Sequence, residues 1–159
     1  MNPLFRRAGF SLFELLIVIA MVAVLATVSI AYLVGYRNQS DLDSTAKRIV
    51  ATLRDAQNRS LTQASLSTWG VHFDNASGTR PFWVIFTGSY NASSVFASYP
   101  LPVSVGFASA TVPVAGFKEI VFTQGTGLAS ASTSISIYLT ALPSASATIA
   151  IASSGAVFY

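Results

Sequence analysis

Residues 6–30 read RRAGFSLFELLIVIAMVAVLATVSI, and this stretch decides how the chain begins to fold. An apolar run opens at Phe10 and continues to about Val34 with a single charged residue, Glu14. Taken as a helix that rises about 1.5 Å per residue, the run is long enough to cross a hydrocarbon core of about 30 Å. The sequence therefore predicts an N-terminal helix of membrane-spanning length.

Two general interpretations of this run leave something unexplained. A cleaved secretory signal peptide has an apolar region of about 7–15 residues and a small-residue cleavage site, whereas this run is longer and no convincing site follows it. A single-pass membrane anchor explains the length, and Arg6 and Arg7 would keep its N-terminus in the cytoplasm. An anchor alone does not explain Glu14, because an acidic side chain at the bilayer centre costs about 2.5–3.5 kcal/mol.

The run and its flanks resemble a known processing signal. A basic stub, Gly9, Phe10, Glu14 and then unbroken aliphatic residues resemble the cleavage and methylation segment of type IV prepilins and type II secretion pseudopilins. The resemblance covers about residues 6–34. It implies that a prepilin peptidase removes residues 1–9 as a leader peptide by cutting between Gly9 and Phe10, and that it N-methylates Phe10. Glu14 then matches the fifth-position glutamate of the family.

The position of Glu14 has a physical interpretation within this resemblance. A new α-amine at Phe10 and the carboxylate of Glu14 are one helical turn apart, on one face. A carboxylate in the first turn is also favoured by the helix dipole. In a fibre, we expect this carboxylate to neutralise the amine of an adjacent subunit and so to specify register. The alternative is an interfacial glutamate without a partner.

The helical pattern continues beyond the apolar run. Gly35 is a candidate bend, since glycine weakens a helix interior. We expect one long bent helix of about 50 residues, with a transmembrane or fibre-core first half at residues 10–34 and an amphipathic second half at residues 35–66. The amphipathic pattern breaks at Ser60. Its apolar positions are Leu42, Ala46, Ile49, Leu53, Ala56 and Ala64, and its charged positions are Asp43, Lys47, Arg48, Arg54, Asp55 and Arg59.

Residues 67–159 show a strand-like period and are predicted to form an extracytoplasmic, β-rich globular domain. Residues 87–117 carry several prolines and are expected to be loops with one strand near 103–107. The predicted fold class is α+β, a pilin-like fold in which the long helix packs on antiparallel sheet. The predicted strands are WGVHF (69–73), FWVIF (82–86), IVF (120–122), SISIYL (134–139), and a closing hairpin of TIAI (148–151) and GAVFY (155–159) that turns at Ser153, Ser154 and Gly155.

The order of the last strands adds a narrower resemblance. The sequence I-V-F, G-T-G, I-S-I, I-A-I and S-S-G-A-V is similar to the closing strands of the GspH/FimT-like minor pseudopilins. This resemblance implies a minor rather than a major subunit.

The chemistry of an enzyme is missing from the sequence. His72 is the only histidine, and strand alternation places it opposite Trp69, Val71 and Phe73, where we expect an exposed sheet residue rather than a catalytic base. No nucleophile elbow, phosphate-binding loop or dinucleotide fingerprint occurs. There is no cysteine. The acidic residues outside the helix are Asp74 and Glu119, too few for a calcium loop. We therefore predict no catalytic residue, no metal site and no cofactor.

The charge distribution argues against nucleic-acid binding. The net charge is +3, and after Arg59 the only basic residues are Arg80 and Lys118. Contact with a phosphate backbone needs clustered lysine and arginine. The globular part has no such cluster.

The sequence predicts a structural minor pseudopilin or pilin of a type II secretion pseudopilus or a type IV pilus. Its expected partners are other pilin or pseudopilin subunits, the prepilin peptidase and the bacterial cytoplasmic membrane. It would cross this inner membrane once, with the N-terminus in the cytoplasm and the C-terminal domain outside, before it enters an extracytoplasmic fibre. Two alternatives stay open: a binding module displayed at a fibre tip for DNA or substrate, and a membrane-anchored domain that never polymerises.

Overall fold

The structure is a computed structural model that describes residues 11–76 and 78–159, except for the side chains of residues 28–34. The predicted leader, residues 1–9 with Gly9, and the predicted first mature residue, Phe10, lie outside the described residues. The described chain divides into two compact units, the first ending at Arg37 and the second beginning at Asn38.

One α-helix, α1 (Leu12–Leu61), contributes to both units and is 50 residues long. Its length agrees with the prediction, while the bend at Gly35 stays a prediction. Within the described residues, no helix combines the length and the apolar character that a membrane crossing requires. The predicted span at residues 10–34 includes positions outside that described part.

In the second unit, α1 buries the predicted apolar stripe. Leu42 is 2% exposed, and Ala46, Ile49, Leu53 and Ala56 are fully buried. Residues three and four places apart share one face of a helix, so these side chains form a continuous apolar surface. Burial from Leu42 to Ala56 agrees with the predicted stripe, but α1 ends at Leu61 rather than at residue 66, and Ala64 lies in the 3-10 turn that follows.

A short 3-10 turn (Ala64–Leu66) follows the helix, and eight strands complete the fold. All strand pairs are antiparallel, in one sheet of order β3-β2-β1-β5 and a second of order β4-β6-β7-β8. The strands are β1 (Trp69–Asp74), β2 (Phe82–Thr87), β3 (Val95–Pro100), β4 (Val105–Phe107), β5 (Phe117–Phe122), β6 (Thr133–Leu139), β7 (Leu142–Ile151) and β8 (Val157–Phe158).

One hydrophobic core joins the stripe of α1 to the inner faces of both sheets. Trp69, Val71 and Phe73 of β1 contribute from the first sheet, and Ile135 and Ile137 of β6 contribute from the second. Alternate residues of a strand face the same way, which is why the period-two pattern identified these inward positions. The predicted α+β arrangement of a long helix on antiparallel sheet is confirmed.

The prediction for residues 87–117 was wrong in part, because it missed β3. Val95–Pro100 pairs with β2 at the edge of the first sheet. An edge strand needs hydrogen bonds on one side only, so Pro100 is tolerated there. The single strand expected near 103–107 is present as β4, and the closing hairpin turns at Ser153–Gly155 as predicted, with Gly155 at a φ of 84°.

The prediction that His72 is exposed was also wrong. His72 does face away from the main core, as β1 alternation requires, but only 3% of it is exposed. The rings of Tyr90 and Phe117 stack on it, with centroid distances of 3.7 and 5.1 Å. Tyr90 belongs to the connection between β2 and β3, and sequence alternation within one strand carries no information about such a cover.

Candidate assembly site at the start of the long helix

The first turn of α1 is closed by a serine cap. The backbone N–H of Glu14 donates to Ser11 Oγ at 3.1 Å, and the backbone N–H of Leu15 donates to the Ser11 carbonyl at 3.2 Å. Ser11 is thus the N-cap residue, and Glu14 occupies the third helical position. The spacing Ser-x-x-Glu is the sequence signal of a capping box, and our sequence reasoning missed it.

The cap does not use the carboxylate of Glu14. The side chain of Glu14 is exposed, and in the described part of the chain this carboxylate makes no hydrogen bond or ion pair. A negative charge in the first turn interacts favourably with the free backbone N–H groups of a helix start. The structure therefore places the exposed side chain of Glu14 in the first turn of α1.

The described side chains of the first unit present a surface that suits an apolar environment. Leu12 is 83% exposed, Phe13 71% and Leu25 68%, and the exposed apolar side chains continue around α1. A helix that is apolar on all sides is buried in protein or lipid rather than exposed to water.

The charged side of the second unit is largely engaged within the chain. Lys47 pairs with Asp43 at 2.6 Å, and Arg59 pairs with Asp55 at 3.0 Å, each four residues apart on α1. Arg54 donates to the carbonyl of Val157 at 3.1 Å. Exposed pairs of this kind contribute about 0–1 kcal/mol each, so they orient side chains more than they stabilise the fold.

No group of three or more histidine, cysteine, aspartate or glutamate residues within the described ranges is arranged to hold a metal ion. In the described part of the globular unit, His72 lies beside Asp74 and Glu119, a cluster of titratable side chains that the sequence analysis missed. His72 and Asp74 lie two residues apart on β1 and share one face, and strand pairing brings Glu119 of β5 beside His72.

A comparison with protein families finds a match for the segment that contains the start of α1. The family model described as the prokaryotic N-terminal methylation motif matches residues 4–30. This range contains Gly9, Phe10 and Glu14, the residues singled out from the sequence. A search of curated proteins finds no match.

Comparison with solved structures identifies the architecture. Two crystal structures of the type IV minor pilin FimU from Pseudomonas aeruginosa strain PAO1, in space groups P65 and P21, are similar to this chain with TM-scores of 0.52 and 0.53. They cover 74% and 77% of this chain and 90% of the FimU chain. The fold is pilin-like. The sequence identities of 14% and 15% limit this likeness to the fold itself.

Proposed function

We propose that the chain is a minor pilin or pseudopilin, a structural and non-enzymatic subunit of a fibre. A prepilin peptidase would cut it between Gly9 and Phe10 and N-methylate Phe10. The observation that carries the proposal is a methylation motif at residues 4–30 directly joined to a pilin-like fold. The narrower similarity of its closing strands to GspH/FimT-like proteins supports a minor subunit.

The route of the subunit follows from its apolar segment. Residues 10–34 would hold the precursor in the bacterial cytoplasmic membrane, with the N-terminus in the cytoplasm and residues 67–159 outside. The same segment would then move into the core of a fibre made with other pilin subunits. The exposed apolar side chains of α1 support this route, because they would leave the apolar interior of the membrane for the apolar core of the fibre.

Glu14 is proposed as the residue that directs assembly. Its carboxylate is exposed at the helix start and is not used by the cap, so it is available to the methylated amine of an adjacent subunit. A paired charge in an apolar fibre core specifies register, because an unpaired one is strongly disfavoured there.

The processing step is tested by mass spectrometry of the protein expressed together with a prepilin peptidase. We expect a mature chain that begins with N-methylated Phe10. A chain that retains Met1 under conditions in which a known prepilin is processed would refute the proposal.

The role of Glu14 is tested with a matched pair of variants in cells that assemble the fibre. Glu14→Ala removes the carboxylate and keeps the backbone N–H that the cap uses, whereas Ser11→Ala removes the cap and keeps the carboxylate. We expect both variants to insert into the membrane, and only Glu14→Ala to be lost from sheared fibres. Equal incorporation of the two variants would contradict the proposed role.

A further inference from the structure

The outer face of the second sheet carries a groove of about 390 Å³. The buried isoleucines of β6 alternate with Ser136 and Tyr138, so these two side chains point away from the core. Pairing with β7 places Thr148 beside Ser136 and Ser146 beside Tyr138. All four side chains line the groove. Its volume lies within the range of small-molecule sites, about 300–1,000 Å³.

The turn that follows β4 forms one wall of the groove and is fixed to β6. The backbone N–H of Ala108 donates to the Ser136 carbonyl at 2.8 Å, and Thr111 Oγ1 accepts the backbone N–H of Ser136 at 3.0 Å. Val112, at the end of this turn, is fully buried. Ser109 therefore lines the groove from a turn that is held at both ends.

Gly106 of β4 allows the ring of Tyr138 to lie close to the sheet. The two residues are paired across β4 and β6. A Cβ at Gly106 would lie 3.2 Å from Tyr138 Cζ and 3.3 Å from its hydroxyl oxygen. The φ of Gly106 is not positive, so close approach of the ring, and not backbone conformation, is the reason for glycine at this position. The ring of Tyr138 thus lies over β4 and forms a side of the groove.

The groove is lined by hydroxyl groups and by no charged side chain. Ser136 Oγ and Thr148 Oγ1 share one hydrogen bond of 2.9 Å. Within the described residues, the hydroxyls of Ser109, Tyr138 and Ser146 make no hydrogen bond. A hydroxyl has one donor and two acceptor positions, so these groups can exchange bound water for hydrogen bonds to a ligand. Three different elements, the turn after β4, β6 and β7, bring them to one groove.

We propose that this groove binds a neutral sugar unit. The hydroxyls of a sugar both donate and accept hydrogen bonds, as the hydroxyls of the groove do. The C–H groups of a sugar are apolar and suit the ring of Tyr138 and the methyl group of Ala108. An acidic sugar would find no cation among the lining residues, and a charge without a partner is disfavoured. This inference does not depend on the proposed role in a fibre.

Binding is measured on the full chain in a detergent without a sugar headgroup, because an alkyl glycoside detergent would itself be a ligand. The probes for saturation-transfer difference NMR are maltohexaose, cellohexaose and chitohexaose. We expect at least one of them to bind with a Kd of about 1 mM, and the acidic hexagalacturonate to bind at least about tenfold more weakly. The absence of transfer to all three neutral sugars at about 10 mM would overturn the inference.

Two matched substitutions on β7 locate the site. Ser146→Ala removes a hydroxyl that lines the groove, whereas Ser144→Ala removes an exposed hydroxyl of the same strand outside it. Ser146→Ala should weaken sugar binding about three- to tenfold, the effect of one lost hydrogen bond. Ser144→Ala should leave the affinity unchanged. Equal affinities of the two variants would place the sugar elsewhere and overturn the inference.

Gly106→Ala tests the position of the Tyr138 ring. This change removes no group that contacts the ligand, but its Cβ pushes the ring away by a few tenths of an ångström. Binding should weaken, while Gly78→Ala, whose Cβ meets nothing within 4 Å, should bind as the unaltered chain does. Tyr138→Phe keeps the ring and should lose about three- to tenfold in affinity with its hydroxyl. Urea unfolding of each variant verifies that it folds.

Two further outcomes would overturn the inference. One is an affinity of Gly106→Ala and Tyr138→Phe equal to that of the unaltered chain. The other is binding of a neutral peptide, pentaalanine, as tight as that of the sugars, which would identify the groove as a peptide site.

Discussion

Ser60 and Trp69 are joined by a buried hydrogen bond, in which the backbone N–H of Trp69 donates to Ser60 Oγ at 3.0 Å. The same hydroxyl donates to the carbonyl of Phe122 at 3.1 Å. Ser60 is fully buried. One side chain near the end of α1 therefore satisfies backbone groups of both β1 and β5, and fixes where the helix ends on the first sheet.

Ser60→Ala should destabilise the globular unit by about 1–3 kcal/mol, because it leaves a buried N–H and a buried carbonyl without this partner. Urea unfolding followed by tryptophan fluorescence measures the change, since Trp69 and Trp83 are both buried in this unit. Ser44→Ala is the control, because Ser44 is exposed on the same helix. An equal loss in both variants would show that helix propensity, and not the buried hydroxyl, is responsible.

Leu53→Ala should lower the free energy of unfolding by about 2–5 kcal/mol. Leu53 is fully buried where α1 meets the sheets, and removal of its side chain leaves a cavity that the neighbouring strands fill only in part. Leu66→Ala should change it by less than about 0.5 kcal/mol, because Leu66 is 81% exposed. Similar unfolding midpoints for the two variants would contradict this description of the core.

Gly155→Ala should destabilise the closing hairpin more than Gly78→Ala. Both glycines have a positive φ, of 84° and 85°, so both substitutions introduce similar backbone strain. A Cβ at Gly155 would overlap the Gly127 carbonyl and the Gln57 amide, whereas a Cβ at Gly78 would meet nothing within 4 Å. We expect a difference of about 1–3 kcal/mol in urea unfolding. Equal losses would show that the surroundings of Gly155 relax freely.

Tyr159 should titrate above the ordinary range of a tyrosine. Its hydroxyl donates to Asp43 Oδ1 at 2.8 Å, and this bond, burial and the carboxylate charge raise the pKa of Tyr159. The folded state holds the phenolic proton more tightly, so the contact stabilises the fold below about pH 10, the unfolded value, and is lost as the pH rises through the raised pKa.

The difference in ultraviolet absorbance between the unaltered chain and Tyr159→Phe isolates this titration. In an Asp43→Ala background the midpoint of Tyr159 should return towards about 10. Hydrogen bonds from Lys47 and then from Tyr159 lower the pKa of Asp43. The ionised carboxylate of Asp43 therefore stabilises the fold at neutral pH, and this stabilisation is lost in acid. A Tyr159 midpoint that does not respond to Asp43→Ala would exclude the hydrogen bond as the cause.

The sequence by itself determined which residues of the regular helix and strands are buried. Burial of the stripe from Leu42 to Ala56 follows from helical spacing, and the inward residues of β1 and β6 follow from strand alternation, because each pattern repeats with the geometry of its own element. The sequence also marked Gly9, Phe10 and Glu14, since their spacing forms a local motif.

Tertiary structure decided what depends on residues far apart in the chain. In the sequence, the polar Ser60 interrupts the apolar pattern of α1. It is nevertheless buried with the apolar stripe, because β1 brings a hydrogen-bond donor and β5 an acceptor to its hydroxyl. His72 has the polarity of an exposed strand residue, yet Tyr90 and Phe117 cover it. A polar side chain is buried when its partners arrive from other elements, and only the folded arrangement of those elements supplies them.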